Sequence, residues 1–136
     1  MSRTQFKNSL KLRALVSALI CGLSATVHAD SAKLKNPANN HSYQWFDIGK
    51  TWTDAKIACE SQGGYLATVT SKEENDWLIN NGLAQNGAWL GASDSAIEGQ
   101  WQWITGEAWD YTNWRPGEPN NSSGIENYLQ YAMFDF

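Results

Sequence analysis

The sequence predicts an α+β fold, in which two helices pack on short antiparallel strands and a long binding loop follows. Three observations indicate this class. Two stretches with helical spacing of apolar residues come first, short β-prone runs separated by loops rich in Gly, Asn and Pro follow, and no strand–helix–strand alternation appears. All eight tryptophans lie after residue 29, which supplies aromatic bulk for the core of one small domain.

The first 29 residues have the features of a secretory signal peptide. Basic residues precede an apolar segment over residues 14–23, and Val27 and Ala29 offer small side chains at the cleavage positions. The apolar segment is shorter than the roughly 20 residues of a transmembrane helix, and no second candidate follows. We therefore expect no membrane span and a secreted or periplasmic protein, in the style of bacterial exported proteins.

The composition of residues 30–136 limits the class of binding partner and the state of the cysteine that we expect. Six basic and fourteen acidic side chains remain there, a net charge of −8, which argues against a nucleic acid as the partner. Cys59 is the single cysteine of this region. Because exported proteins usually pair their cysteines, either Cys59 is buried and free or its partner is missing.

The first half of the chain contains a tether, a strand and a helix. Residues 30–40 are polar and are predicted to be a tether, and residues 41–136 form the domain. Aromatic and polar side chains mix over residues 42–47, which predicts a strand with one buried face. Thr51 is a candidate N-cap of a helix that ends at the two glycines of residues 63–64.

The second half opens with another helix and continues as strands and loops. Ser71 and Glu74 form a capping-box pattern, and Gly82 ends the helix that they begin. Short strands are predicted at residues 89–90 and 101–104, before a long loop rich in Gly, Asn and Pro. The apolar pattern predicts that the core includes Trp89, Leu90, Trp101, Trp103 and Trp114.

Four segments of this half resemble the C-type lectin-like domain family. They are WLGA at residues 89–92, which looks like the family's WIGL signature, EGQW at 98–101, TNW at 112–114 and EPN at 118–120. A single tripeptide carries little information, whereas four segments in the family's order and spacing are specific. The resemblance covers roughly residues 41–136 and implies the C-type lectin-like fold.

The loop after Trp114 carries side chains suited to calcium. Glu118 offers a carboxylate and Asn120 an amide carbonyl, and Ca²⁺ accepts both among its roughly six to eight oxygen ligands. The resemblance implies a cis bond at Pro119, Glu126 as a third ligand, and an ion that binds two vicinal sugar hydroxyls. The mannose-type Glu-Pro-Asn order implies the mannose, glucose, N-acetylglucosamine and fucose class.

A second group of residues is similar to an auxiliary calcium site of some family members. Asp94 and Glu98 match two of its positions. Asn121 and Asn127 stand at the neighbouring positions, where the family often has carboxylates. Since less negative charge weakens ion binding, the alternative for this group is a solvated polar loop.

The resemblance also implies parts that this sequence does not contain. The family's Asn-Asp pair, which supplies further ligands, would fall beyond Phe136, and the family's first-helix cysteine pairs with one near the C-terminus. We therefore expect Cys59 to be half of a disulfide whose partner is missing. We also expect the chain to be truncated at its C-terminus and impaired as a lectin.

The predicted function is calcium-dependent carbohydrate binding by a secreted lectin domain. The first alternative is a calcium-independent module of the same fold that binds a protein, for instance on a cell surface, because a fold does not fix a function. The second is a glycosidase with Glu118 and Glu126 as paired acids. Metal ligation explains the adjacent Asn and Pro better, and no histidine or activated nucleophile accompanies the acids, so we predict no enzyme.

Overall fold

The computed structural model describes residues 13–17 and 30–132 of the 136-residue chain. Within these ranges it contains two α-helices, a short 3-10 helix and seven strands. The helices are α1 (Trp52–Ser61), α2 (Lys72–Asn80) and the 3-10 helix Ser122–Gly124. The strands are β1 (Arg13–Ser17), β2 (Leu34–Lys35), β3 (Ser42–Phe46), β4 (Tyr65–Leu66), β5 (Ala88–Ser93), β6 (Gln102–Trp103) and β7 (Tyr128–Gln130). The predicted α+β class is confirmed.

The described strands form one sheet. Its main path runs β2-β3-β1-β5-β6, while β4 pairs with β1 and β7 pairs with β5. All of these pairs are antiparallel except β1 with β5, which are parallel. Strand β5 therefore has three partners, and it joins the N-terminal strands to the strands that flank the long loop.

Strand β1 lies within the segment that is predicted to be a signal peptide. It pairs with β3, β4 and β5. The rest of that segment, residues 1–12 and 18–29, lies outside the described residues. Removal of a leader from the chain therefore stays a prediction.

The prediction that residues 30–40 form a tether is wrong. Strand β2 pairs with β3 in this stretch, and the backbone N–H of Trp45 donates to Ser31 Oγ over 2.8 Å. Asn36 is buried, and its side-chain oxygen accepts a hydrogen bond from the N–H of Ala38. The polar residues of this segment thus satisfy backbone groups of a packed hairpin, and the domain begins before residue 41.

Both helices begin as their capping patterns predict. Thr51 Oγ1 accepts from the N–H of Asp54 at 3.1 Å, and Ser71 Oγ accepts from the N–H of Glu74 at 3.2 Å. Each bond satisfies one donor that the first helical turn leaves unpaired. A glycine with positive φ follows each helix, as expected for a chain that turns sharply at the helix end.

The side chain of Glu74 ties α2 to the N-terminal hairpin. It is buried, and its carboxylate accepts hydrogen bonds from Tyr43 Oη, from Asn39 Nδ2 and from the N–H of Thr70. A buried carboxylate is tolerated only where several donors surround it. Desolvation in this network, together with the hydrogen bond to Glu74, raises the pKa of Tyr43.

The core is built around β5. Leu90, Trp101 and Trp103 are at most 9% exposed and belong to the larger apolar cluster, as predicted. Trp89 and Trp114 are half-buried at the edges of the two clusters. None of these five side chains is exposed, so the predicted core is confirmed with two members at its margin.

Gly91 in the middle of β5 marks the tightest approach in the sheet. A Cβ at this position would lie 2.5 Å from the carbonyl oxygen of Leu66 and 2.9 Å from Cδ1 of Ile104. The N–H of Gly91 donates to Ala67 O, and its own carbonyl accepts from the N–H of Ile104, both at 2.8 Å. A side chain here would have to push two neighbouring segments apart.

We expect Gly91→Ala to lower the free energy of unfolding by about 1–3 kcal/mol, because its methyl group meets a backbone oxygen that cannot move away cheaply. Chemical denaturation measures this change. Ser93→Ala, on the same strand, is the control and should cost no more than about 1 kcal/mol, because the two hydrogen bonds that its hydroxyl makes with Ser95 are both exposed to water. Equal stability of Gly91→Ala and the parent chain would contradict the close contact.

Cys59 is a free thiol in the described structure and is 2% exposed, packed with Phe46, Ala55 and Leu66. Burial away from water, together with the charge of Glu60, raises its pKa to about 12. Because the thiolate is the reactive form, this thiol should be inert at neutral pH. A disulfide for Cys59 stays a prediction.

We expect native Cys59 to react with iodoacetamide at pH 8 about a thousandfold more slowly than in urea, because the raised pKa removes about that share of the thiolate. Peptide-resolved mass spectrometry of the Cys59 peptide measures both rates. The neutral thiol should stabilise the fold below pH 9.0, and this contribution should decline as the pH rises toward 12. Equal rates in both states would show that the thiol is accessible.

Candidate functional site

The long loop between β6 and β7 places Glu118 and Asn120 side by side. The bond between Glu118 and Pro119 is cis, the geometry that the sequence resemblance implied. The Glu118 carboxylate accepts from the Asn120 N–H at 3.1 Å and from Asn120 Nδ2 at 2.9 Å. The carboxylate and the amide therefore form one polar unit, in which Glu118 is half-buried and Asn120 is exposed.

Glu126 lies across a short 3-10 helix from this unit. Its carboxylate accepts from the N–H of Ser122 at 2.8 Å, and its own N–H donates to Asn121 Oδ1 at 3.1 Å. Asn121 and Ser123 have positive φ values of 46° and 59°, which fold the backbone back on itself here. The exposed carboxylate of Glu126 is thus held in place by the backbone of the turn that precedes it.

Asn121 also connects this turn to the segment after β5. Its Nδ2 donates to the carboxylate of Glu98, while its Oδ1 accepts from Glu126. The two ends of one amide therefore hold together loops that are 23 residues apart in sequence. The sequence identified Asn121 only as an amide where a carboxylate is common, and no local pattern revealed its bridging position.

Asp94 sits behind this bridge at the end of β5. It is 2% exposed, its Oδ2 accepts from the N–H of Gly99 at 2.9 Å, and its own N–H donates to the carbonyl of Asn127. Its Oδ1 has no hydrogen-bond partner among the described residues. The structure therefore brings Asp94 and Glu98 next to the turn that carries Asn121 and Asn127, as the sequence grouped them.

A cavity of about 710 Å³ lies between the long loop and the core, and we call it the loop cavity. Trp101, Trp109 and Trp114 line its buried side, and Glu118, Asn120 and Glu126 line its solvent side. Its remaining lining includes the exposed Ile125 and Tyr128 and the half-buried Leu129. The three predicted ligand residues thus share one concave surface.

The side chains of the loop fit a hard cation by their chemistry. All three offer oxygen, and a carboxylate oxygen that accepts one hydrogen bond keeps a lone pair for an ion. Among the described residues, no group of three or more His, Cys, Asp or Glu side chains is arranged to hold a metal. An ion at Glu118, Asn120 and Glu126 would therefore depend on amide oxygen and on water for the rest of its shell.

Comparison with known proteins shows which family these features belong to. The Lectin C-type domain family matches residues 48–131. A perlucin-like protein of Mytilus galloprovincialis is 39% identical over 80 residues, which cover 55% of this chain and 51% of the relative. A lectin of Pleurodeles waltl is 34% identical over 98 residues, which cover 68% and 57%. The chain thus spans a little over half the length of these relatives.

One solved structure is similar to this chain in both sequence and fold. The cow C-type carbohydrate-recognition domain of CD23, crystallised in the presence of a GlcNAc2Man3 oligosaccharide, is 38% identical with a TM-score of 0.51. The match covers 58% of this chain and 60% of that domain. These relatives are animal proteins, so they give no support to the bacterial origin that the sequence suggested.

We expect Asn121→Gly to loosen the turn, because glycine keeps the positive φ while both side-chain hydrogen bonds are lost. Amide exchange at Glu126 should become about tenfold faster, the effect of losing one hydrogen bond of about 1–1.5 kcal/mol. Asn40→Gly is the matched control, because Asn40 also has positive φ (62°) but lies outside the loop. Unchanged exchange at Glu126 would mean that Asn121 is not the bridge.

Proposed function

The chain belongs to the C-type lectin domain family, and on that premise we propose that it binds glycans in a calcium-dependent way through Glu118, Asn120 and Glu126. The observation that carries the proposal is the coupled Glu118–Asn120 pair on the rim of the loop cavity. Its order corresponds to glycans of the mannose, glucose, N-acetylglucosamine and fucose class. The similarity to the cow carbohydrate-recognition domain of CD23 supports sugar as the ligand.

Glu118 and Asn120 select a sugar because they differ in their capacity to donate hydrogen bonds. When bound, calcium supplies coordination positions for two vicinal hydroxyls. The Glu118 carboxylate can only accept hydrogen bonds, whereas the Asn120 amide also donates them. One sugar hydroxyl must therefore donate to Glu118, and the neighbouring hydroxyl can accept from Asn120. If the two side chains were exchanged, the site would prefer sugars whose two hydroxyls have the opposite arrangement.

Glu126 serves as the third arm of the site in this proposal. Its carboxylate brings a second negative charge to a rim where Glu118 supplies the first, which suits a divalent cation. The hydrogen bond from the N–H of Ser122 orients it. Asp94 and Glu98 are proposed as ligands of an auxiliary ion, and the unpartnered Oδ1 of buried Asp94 supports this role.

We further propose that the protein acts outside the cytoplasm, by binding rather than by turnover. In the described part of the chain, no helix combines the length and the apolar character needed to cross a bilayer. The proposal of secretion depends on the leader-like residues 1–29. The hydrogen bonds between Glu118 and Asn120 support a holding role for this carboxylate rather than a role as one of two hydrolytic acids.

One observation favours the alternative of a calcium-independent protein-binding module. Ile125 is 74% exposed on the same loop, next to Glu126, and Tyr128 is 37% exposed. Exposed apolar side chains of this kind often mark contact surfaces. Retention of a protein ligand in EDTA would support the alternative, and loss of a mannoside in EDTA would support the lectin.

We expect the double variant Glu118→Gln/Asn120→Asp to lower the mannose-to-galactose affinity ratio at least about tenfold, because it exchanges the acceptor-only and the donor-bearing side chains. Calorimetry with methyl α-mannoside and methyl α-galactoside in millimolar calcium measures the ratio. The matched control is Glu73→Gln/Asn80→Asp, which makes the same two changes on the exposed face of α2.

The control should bind both sugars as the parent chain does. A double variant with an unchanged ratio would contradict the proposed site, and sugar binding by the parent chain that persists in EDTA would contradict its dependence on calcium.

A further inference from the structure

We propose that the preferred ligands are glycans with a carboxylate beside the bound hydroxyls, as in hexuronic acids, and that Arg115 binds this carboxylate. The inference rests on the proposed sugar site at Glu118 and Asn120, and it names the ligand class of that site. Arg115 is the only lysine or arginine after Lys72, whereas ten aspartates and glutamates follow Lys72. The one basic side chain of this acidic half lies three residues before Glu118.

A tight turn holds Arg115 beside the sugar site. Pro116 and Gly117 are its central residues, and the N–H of Glu118 donates to the carbonyl of Arg115 over 2.9 Å. Gly117 has a φ of 93°. A proline followed by a glycine of positive φ is the pattern of a type II turn, whose first and fourth Cα atoms lie within about 7 Å of each other. Arg115 and Glu118 are these two ends.

The turn is also fixed to the core at the side where it begins. Trp114, directly before Arg115, packs edge to face on the buried Trp101, with 5.0 Å between the ring centroids. Pro116 restricts its own φ, which limits the directions that the turn can take. The long side chain of Arg115 therefore starts from a backbone that is held in place next to Glu118.

The charge at this site changes sign when an ion binds. Glu118 and Glu126 bring one negative charge each, and Arg115 brings one positive charge, so the three side chains together carry a charge of about −1 without calcium. A bound Ca²⁺ ion adds two positive charges. The site therefore disfavours an anion when it is empty and favours one when calcium is present.

The acidic character of the whole domain does not prevent this contact. Residues 30–136 carry a net charge of −8, but salt screens charges that lie more than about 10 Å away at 0.1 M ionic strength. A guanidinium in direct contact with a carboxylate forms two parallel, charge-assisted hydrogen bonds. Because it has five N–H donors, it can also keep a contact within the loop. The domain thus repels anions in general and accepts one whose carboxylate reaches Arg115.

The geometry of a hexuronic acid suits this arrangement. Its carboxylate is attached to ring carbon C5, next to the carbon that bears the 4-hydroxyl. When the vicinal 3- and 4-hydroxyls face Glu118 and Asn120, the carboxylate therefore lies at the margin of the site. Glucuronic acid has the hydroxyl arrangement of glucose, which belongs to the proposed class. It is the sugar that satisfies both this pair and Arg115.

The test compares four ligands on the full chain in millimolar calcium and low salt. They are methyl glucoside, methyl glucuronide, the neutral amide of that glucuronide, and methyl glucoside 6-sulfate. We expect the glucuronide to bind about fivefold more tightly than the glucoside and the amide, the upper value for an exposed ion pair. This advantage should shrink in about 1 M salt, where the screening length is about 3 Å.

NMR spectra report where the carboxylate binds. The chain has three arginines, so the Nε–H signal of Arg115 is assigned by its loss in Arg115→Gln. We expect the glucuronide to shift this signal and the neutral amide to leave it in place.

Variants separate the charge of Arg115 from its shape. Arg115→Gln should lower the glucuronide-to-glucoside ratio to that of the amide, and Arg115→Lys should keep part of it, because lysine has the charge without the planar fork. Lys35→Gln is the matched control and should keep the full ratio, because it removes the same charge from an exposed position on β2.

Calcium affinity gives a second readout that needs no sugar. Arg115→Gln should bind calcium about twofold more tightly at low salt, because a positive charge near Glu118 and Glu126 is removed. Lys35→Gln should bind calcium as the parent chain does. An unchanged calcium affinity in Arg115→Gln would show that the guanidinium is not close to the two carboxylates, which would overturn the inference.

The outcomes distinguish this inference from the proposed function. Equal, calcium-dependent affinities for the glucuronide and its amide would overturn the inference and leave the sugar site intact. Tighter binding of the 6-sulfate than of the glucuronide would overturn the assignment to uronic acids. Glucuronide binding that is equal in calcium and in EDTA would overturn the proposed function and leave Arg115 as an anion contact. A glucuronide that does not shift the Arg115 signal would overturn the inference by itself.

Discussion

The close passage of β5 against the β4 segment at Gly91 is the contact on which the rest of this structure depends. No side chain fits between the Gly91 backbone and the Leu66 carbonyl, so the two segments approach more closely than pleated strands with side chains allow. The hydrogen bonds from Gly91 to Ala67 and from Ile104 to Gly91 are possible only at this separation. The position of β5 then sets its pairing with β6 and β7, and these two strands are the anchors of the long loop.

The loop itself has few backbone ladders to hold it, and side chains take over that task. Asn121 joins the Glu98 segment to the turn at Glu126, and Glu118 pairs with Asn120. Such contacts are exposed to water and individually weak, roughly 0.5–1.5 kcal/mol each. The core therefore fixes the position of the loop that carries the predicted ligand residues. The exposed side-chain hydrogen bonds within the loop fix their orientation more weakly. An ion that binds only the ordered loop would add to its stability.

The tryptophan cluster has two roles that follow from its position. Trp101 and Trp103 are buried and complete the core, whereas Trp109 and Trp114 are half-buried and face the loop cavity. The same stacked rings thus stabilise the domain and provide an apolar wall beside a polar rim.

Local patterns in the sequence determined much of this protein. The α+β class, the N-caps Thr51 and Ser71, and the buried Leu90, Trp101 and Trp103 all follow from periodicity and capping chemistry, which act over a few residues. The ordered set of motifs from residue 89 to residue 120 indicates the family by itself. These features are predictable because each depends on neighbours in sequence.

Only the tertiary structure decided the rest, because the deciding contacts join residues that are distant in the chain. The predicted tether over residues 30–40 turned out to be a hairpin, since its polar composition concealed the pairing of β2 with β3. Asn121 is a bridge only because Glu98, 23 residues away in the sequence, lies beside it in the fold. Sequence spacing carries no information about such distances until the chain is folded.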